Sequence, residues 1–115
     1  MMKEEFLKIL FRTIEERKNS SSEDSYVKSL FDGGALKINE KVLEETLELL
    51  EATSDLSGEK REKVIHEAAD LWFHTLVLIS NQGVDIDEVI EELASRFGKS
   101  GLLEKALREI PKQEK

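Results

Sequence analysis

"HEAADLWFHTLVLI", residues 66–79, is the stretch on which the fold turns. Leu71, Trp72, Phe73, Leu76, Val77, Leu78 and Ile79 surround a helical axis. A helix that is apolar on all sides is expected to be buried on all sides. Yet this one carries Asp70 and His74 four residues apart, with Glu67 three before Asp70, all on one face. A buried carboxylate is costly unless it is paired or holds a metal. Something must therefore face Asp70.

The nearest counterpart is "KVLEETLELLEA", residues 41–52. At helical spacing Lys41, Glu44, Glu45, Glu48 and Ala52 fall in one sector roughly 100° wide. Val42, Leu43, Leu47, Leu49 and Leu50 occupy the other side. Taken alone, this is an amphipathic helix with a solvated acidic face. Taken with 66–79, it supplies an alternative. Glu45 and Glu48 are spaced i,i+3, as are Glu67 and Asp70, so each pair points one way. Two adjacent antiparallel helices with facing carboxylates can form a cage for a hard cation, which removes their mutual repulsion. The plainer reading is internal pairing, with Asp70 accepting from His74 or from a lysine or arginine. Glu44 and Glu51 leave the ligand set open. His74 reads first as a satisfied core histidine, and beside an all-oxygen site it would orient Asp70 or touch phosphate. His66 lies off the acidic face and is expected at the surface. Trp72 and Phe73 are expected in the core or at a dimer interface.

Working outward, no long segment alternates with period two, and the single proline is Pro111. The chain reads as all-α, a four-helix-bundle-like array of antiparallel helices with short extra helices. Helix one spans roughly residues 3–18, with Phe6, Ile9, Leu10 and Ile14 as its apolar stripe. Residues 19–37 read as the most loop-like part, holding at most a short helix capped by Ser22 or Ser25 and stopped near Gly33. Helix two is predicted from an N-cap at Asn39, with an Ile38–Leu43 staple, to about Asp55. "LSG" makes the next turn. Helix three runs from about Glu59 to Asn81, with Gly83 at its C-terminal end. Helix four starts on a capping-box pattern, Asp85 with Glu88, with Val84 and Val89 as a staple. It is predicted to end before Gly98. A last short helix is expected over 102–109, and 110–115 as a flexible tail.

At 115 residues the chain is expected to be one domain over 1–115, with a modest core that makes a dimer unsurprising. The net charge of −8, from 25 acidic against 17 basic residues, argues against nucleic-acid binding. It leaves phosphorylated small molecules open, because carboxylates recruit phosphates through Mg²⁺. Cysteine is absent, which excludes disulfides, thiolate nucleophiles and Cys-ligated zinc and fits a cytoplasmic location. No window suggests a membrane span.

Several motifs carry a resemblance. Glu-x-x-Glu followed by Glu-x-x-Asp, here Glu45, Glu48, Glu67 and Asp70, resembles the all-α nucleoside-triphosphate pyrophosphatases of the MazG-like superfamily. "IEERK", then "SY" (Ser25, Tyr26), "KINEKVLEE", "EAADLWFHTLVLI" and "GVDIDEVIEELASRFGKSGLLEKALR" resemble one branch, the phosphoribosyl-ATP pyrophosphohydrolase family of histidine biosynthesis. The match covers residues 7–108. Departures are Val27 for a common threonine, Leu43 for a usual glycine and Phe73 for a frequent tyrosine. None removes an acid.

The resemblance implies a MazG-like dimeric architecture, as a homodimer or higher homo-oligomer, with loop residues able to act across subunits. It implies hydrolysis of 1-(5-phosphoribosyl)-ATP to the AMP form and pyrophosphate, the second step of histidine biosynthesis. Mg²⁺, or Mn²⁺ in its place, would be held by Glu45, Glu48, Glu67 and Asp70. Glu44 or Glu48 would accept the proton of the attacking water. Arg17, Lys18, Ser25, Tyr26, Lys41, His74, Arg96 and Lys99 are the candidates for binding substrate and phosphate, with 19–37 as a substrate loop. Two other readings stand beside it. One is a pyrophosphatase clearing dUTP or other NTPs, against which the Gly-Lys-Ser-Gly segment argues. The other is a non-enzymatic helical interaction module whose acidic stripe is merely solvated.

Overall fold

The computed structural model describes residues 3–20 and 25–100, and among them every regular element is helical. A short 3-10 turn, Lys3–Glu5, leads into α1, Phe6–Lys18. Then come α2, Tyr26–Ala52, α3, Lys60–Asn81, and α4, Ile86–Ser100. The chain divides into two units, residues 1–84 and 85–115.

In the first unit α1 packs on both α2 and α3, and α2 packs along α3. Phe11 and Ile14 of α1, Leu30 and Ile38 of α2, and Val77 of α3 are the buried centre. Residues that meet across α2 and α3 rise along one helix as they fall along the other. Tyr26 meets His74, while Asp55 at the far end meets Lys63. The two helices are therefore antiparallel, as the short turn between them requires. Asp55 builds that turn. Its Oδ1 accepts from the Ser57 amide at 3.0 Å, and its Oδ2 accepts from Ser57 Oγ at 2.9 Å and from Lys63 Nζ at 2.8 Å.

The N-terminal part of α2 corrects the loop-like reading over residues 26–37, while residues 21–24 of the expected substrate loop lie outside the described residues. Helix begins at Tyr26, because Ser25 caps it by accepting from the Lys28 amide at 3.2 Å. Ser22, the other candidate cap, lies outside the described residues. Asn39 is not a cap but an interior residue of α2. Ile38 is fully buried while Leu43 is exposed, so no staple forms between them. Instead of stopping near Gly33, the helix kinks at Gly34, whose φ of 85° and ψ of 177° belong to a region essentially reserved for glycine. An added Cβ there meets nothing within 4 Å, so the barrier is conformational alone. Gly34→Ala is expected to cost about 1–3 kcal/mol in urea-unfolding experiments. An unchanged midpoint would mean that the kink is dispensable.

Helix α3 ends in a Schellman motif. Val84 N donates to Ile79 O at 2.9 Å and Gly83 N to Ser80 O at 3.0 Å, with Gly83 at φ 74°. Lys18 reinforces this end, donating to Ser80 O at 3.1 Å with its Nζ 5.3 Å from the Phe31 ring centre. In the second unit the predicted capping box is present. Asp85 Oδ1 accepts from the Asp87 amide at 2.9 Å, and the Asp85 amide donates to Glu88 Oε2 at 3.0 Å. Helix α4 continues through Gly98 to Ser100 rather than stopping before Gly98. The predicted helix over 102–109 and the tail 110–115 lie outside the described residues. No helix among the described residues is long and apolar enough to cross a membrane.

The sidedness of α2 and α3 departs from expectation. Leu43, Leu47 and Leu50 are each more than half exposed, whereas Glu45 is 5% exposed. Helix α3 is not buried all round either. Ile65 and Trp72 stand outside, Trp72 at 59% exposure. Helices α1 and α2 cover only part of the α3 surface, and the acid-bearing face of α3 is the part turned to α2.

Candidate active site

The site is built by two helical stripes. Glu45 and Glu48 project from α2, one turn apart, toward Glu67 and Asp70, one turn apart on α3. Glu45 feels the charges of Glu48 and Asp70, and Glu67 those of Glu48 and Asp70, so all four acids share one electrostatic neighbourhood. Glu45 Oε1 and Glu67 Oε1 are buried without a hydrogen-bond partner. Buried polar atoms are rarely left this way.

Burial, then the charges of Glu48 and Asp70, raise the Glu45 carboxyl above its ordinary value. Burial, then a hydrogen bond shared with Glu48, raise Glu67 likewise. Proton or cation, the cluster favours an added positive charge. Glu44, Glu45 and Glu48 can bring one ligand oxygen each within 4.8 Å of one another, and His66, Glu67 and Asp70 form a second such group. The first group is all-oxygen, as is the pair Glu67 and Asp70 without the His66 nitrogen, and carboxylate oxygens suit a hard divalent cation. The residues present therefore fit a metal, and the orphaned oxygens give it places to bind.

These shifts set a pH dependence. A carboxyl whose folded pKa is raised contributes stability that is fullest below the ordinary value of 4.5 and is lost as pH rises through the folded value. Asp55 behaves in the opposite sense. Its hydrogen bonds from Lys63 and Ser57 lower it to about 2, so its contribution holds above 3.8 and is lost as pH falls toward 2. Above the ordinary carboxyl value of 4.5 the cage is thus the group expected to weaken the metal-free fold as pH rises. Thermal melts in EDTA should show this loss for wild type and a smaller one for Glu45→Gln. Mg²⁺ should remove it. Identical pH profiles for the two proteins would contradict it.

Around the cage, Lys41 Nζ lies 3.4 Å from Glu44 Oε1 and 3.7 Å from Glu45 Oε2. Burial opposes its charge, but Tyr26, Glu44 and Glu45 outweigh that and hold Lys41 above the usual lysine value. Glu44 itself is exposed. His74 is buried with both ring nitrogens engaged. Nδ1 is 2.8 Å from Asp70 O and Nε2 is 2.8 Å from the Tyr26 hydroxyl. A carbonyl can only accept, so Nδ1 carries a proton and donates to Asp70 O, while Nε2 and the Tyr26 hydroxyl share the second hydrogen bond. The Tyr26 ring also stacks on Phe73, with centroids 6.2 Å apart.

The structure thus brings Glu44, Glu45, Glu48, Glu67, Asp70, Lys41, Tyr26 and His74 into one region. Other candidates are engaged differently. Ser25 Oγ is spent on its helix cap, and Lys18 on the end of α3. Arg17 is an exposed residue of the last turn of α1. Arg96 pairs with Glu92 at 2.9 Å within α4, and the Lys99 side chain lies outside the described residues.

Sequence reasoning also set His66 aside. Although exposed, its Nε2 lies 3.3 Å from Asp70 Oδ2, while the contact of His74 with Asp70 is through the backbone carbonyl. The i,i+4 spacing from His66 to Asp70 was the available signal.

A family model described as phosphoribosyl-ATP pyrophosphohydrolase matches residues 7–97. A phosphoribosyl-ATP pyrophosphatase of Vesicomyosocius okutanii is 44% identical over 91% of this chain and 97% of its own length. One from Geobacter metallireducens is 43% identical over 92% and 94%, and one from Geotalea daltonii 44% over 94% and 99%. With a family model spanning most of its length and end-to-end relatives at this identity, the chain belongs to the phosphoribosyl-ATP pyrophosphohydrolase family.

Proposed function

We propose that this protein hydrolyses 1-(5-phosphoribosyl)-ATP to 1-(5-phosphoribosyl)-AMP and pyrophosphate, in the cytoplasm, as the second step of histidine biosynthesis. The observation that carries the reading is the partly buried four-carboxylate cluster with two buried, unpartnered oxygens, in a chain of this family. Glu45, Glu48, Glu67 and Asp70 would hold Mg²⁺ there. Bound Mg²⁺ supplies charge neutralisation on the triphosphate and orients its oxygens.

The protein's own groups do the rest. Water attacks the α-phosphorus, the bond to the bridging oxygen of the β-phosphate breaks, and pyrophosphate leaves. The water proton passes to a carboxylate. Glu44, exposed beside Lys41, and Glu48, between Glu45 and Glu67, are the two in position, and Glu44→Gln against Glu48→Gln separates them. Lys41 meets a phosphate oxygen. Tyr26 and Phe73 offer a stacking surface at the same end of the cage, and His74 holds Tyr26 in place rather than touching phosphate.

The working form is a homodimer. Leu36, Leu43, Leu47 and Leu50 make one exposed stripe along α2, and Ile65 and Trp72 stand exposed on α3. Such a surface is larger than scattered apolar residues and marks an association site.

Pyrophosphate release from phosphoribosyl-ATP, ATP and dUTP in separate reactions, with and without Mg²⁺, tests the activity. Mg²⁺-dependent release from phosphoribosyl-ATP above the other two is expected. Faster turnover of dUTP would replace the substrate, and inactivity of a competent dimer on all three would overturn the enzyme reading.

A further inference from the structure

The acid cage has two ends, and each carries a lysine. Lys41 lies one turn before Glu45 on α2, and Lys63 one turn before Glu67 on α3. Because the helices are antiparallel, these two lysines stand at opposite ends of the cluster. The Lys41 end carries Tyr26, Phe73 and His74. The Lys63 end opens into a groove of about 560 Å³ lined by Glu48, Glu51, Ala52, Asp55, Lys63 and Glu67. Two cage acids, one from each helix, form its inner wall, and the orphaned Oε1 belongs to one of them, Glu67. Lys63 is the only cation among the residues lining it.

Lys63 is half-exposed, so its ammonium reaches the groove while its nearest partner, Asp55 Oδ2, holds it at 2.8 Å. That hydrogen bond keeps Lys63 above its ordinary lysine value and therefore charged. The other charged residues along the groove are carboxylates. An entering polyphosphate would be repelled there unless a cation met it.

We infer that Lys63 binds the departing pyrophosphate: its ammonium exchanges Asp55 for the β,γ-phosphates in the groove at the turn between α2 and α3. The inference rests on the proposed pyrophosphohydrolase reading. It gives the substrate a polarity, with the nucleoside toward Tyr26 and Phe73 and the leaving group toward Lys63. The rival account makes Lys63 a strut that closes the turn through Asp55 and does nothing else.

Inorganic pyrophosphate, titrated calorimetrically into the full-length protein with Mg²⁺ present, tests the inference without relying on turnover. Lys63→Met is expected to weaken binding about tenfold or more, the loss of one charge-assisted hydrogen bond. Lys63→Arg should stay within about threefold of wild type, since it keeps the charge. Asp55→Asn releases the lysine and should leave pyrophosphate binding as tight or tighter, although it weakens the turn. Melting curves of all three variants verify folding.

Unchanged affinity in folded Lys63→Met overturns the inference. Equal weakening in Lys63→Met and Asp55→Asn also overturns it, in favour of the strut. Failure of wild type to hydrolyse phosphoribosyl-ATP would strike the underlying reading instead, and the calorimetric comparison would still decide the role of Lys63.

Discussion

Glu48→Gln is expected to lower pyrophosphate release by on the order of 10²–10³-fold, the usual cost of removing one preorganised electrostatic group, and Asp70→Asn to do the same. Glu48 acts electrostatically on both Glu45 and Glu67, within its own helix and across to α3. Asp70 feeds the same field from the α3 side. Both substitutions keep size and shape and remove one charge from a crowded, partly buried set. In EDTA the variants should therefore melt at or above the wild-type temperature, because like-charge repulsion is relieved. In Mg²⁺ the order should reverse, since a cation that binds only the folded form stabilises it by mass action. Pyrophosphate assays and melts in EDTA and in Mg²⁺ check both halves. Variants that are fully active, or less stable than wild type in EDTA and still so in Mg²⁺ by the same margin, would remove the cage.

Leu47→Glu is the second large effect expected. Leu47 lies mid-stripe, between Leu43 and Leu50, on the outward side of α2, where it touches solvent in the single chain. If the stripe stayed exposed, glutamate there would be harmless, with a stability change within about 0.5 kcal/mol. In a dimer seam it buries an unpaired charge, which costs several kcal/mol and separates the subunits. Light scattering should then report half the wild-type mass, with helicity retained. Because α2 also carries Glu45 and Glu48, activity should fall along with the dimer. An unchanged mass would exclude this face as the seam.

Much of the fold was legible in the residues. The helices, the Asp85–Glu88 start of α4 and the Gly83 end of α3 rest on local hydrogen bonds, and local spacing encodes them. That Glu45 and Glu48 share a face, and Glu67 and Asp70 another, was readable for the same reason, since i,i+3 acids point one way. The short helix expected from a Ser22 or Ser25 cap does start from Ser25 but does not stop near Gly33, where two adjacent glycines look like a stop. Gly34 instead turns the backbone at positive φ, and helix resumes immediately.

The sequence by itself determined that the chain is helical and that four acids sit on two matching stripes. Spacing along one helix is a local property, and 3.6 residues per turn translate it directly into a face. Which face turns inward is not local. Taken alone, α2 reads with its leucine side in the core and its acidic side in solvent; set against α3 it reads with Glu45 and Glu48 facing Glu67 and Asp70, and the packing buries Glu45 while Leu43, Leu47 and Leu50 stay exposed. That arrangement tolerates buried carboxylates because they form one shared cluster that an added cation can neutralise, and it leaves the leucines for a second surface. The Tyr26–His74 bond and the placing of Lys63 at the far end of the groove likewise depend on how two antiparallel helices register, which tertiary contacts alone decide, whereas the capture of Asp70 by His66 is an i,i+4 contact within α3.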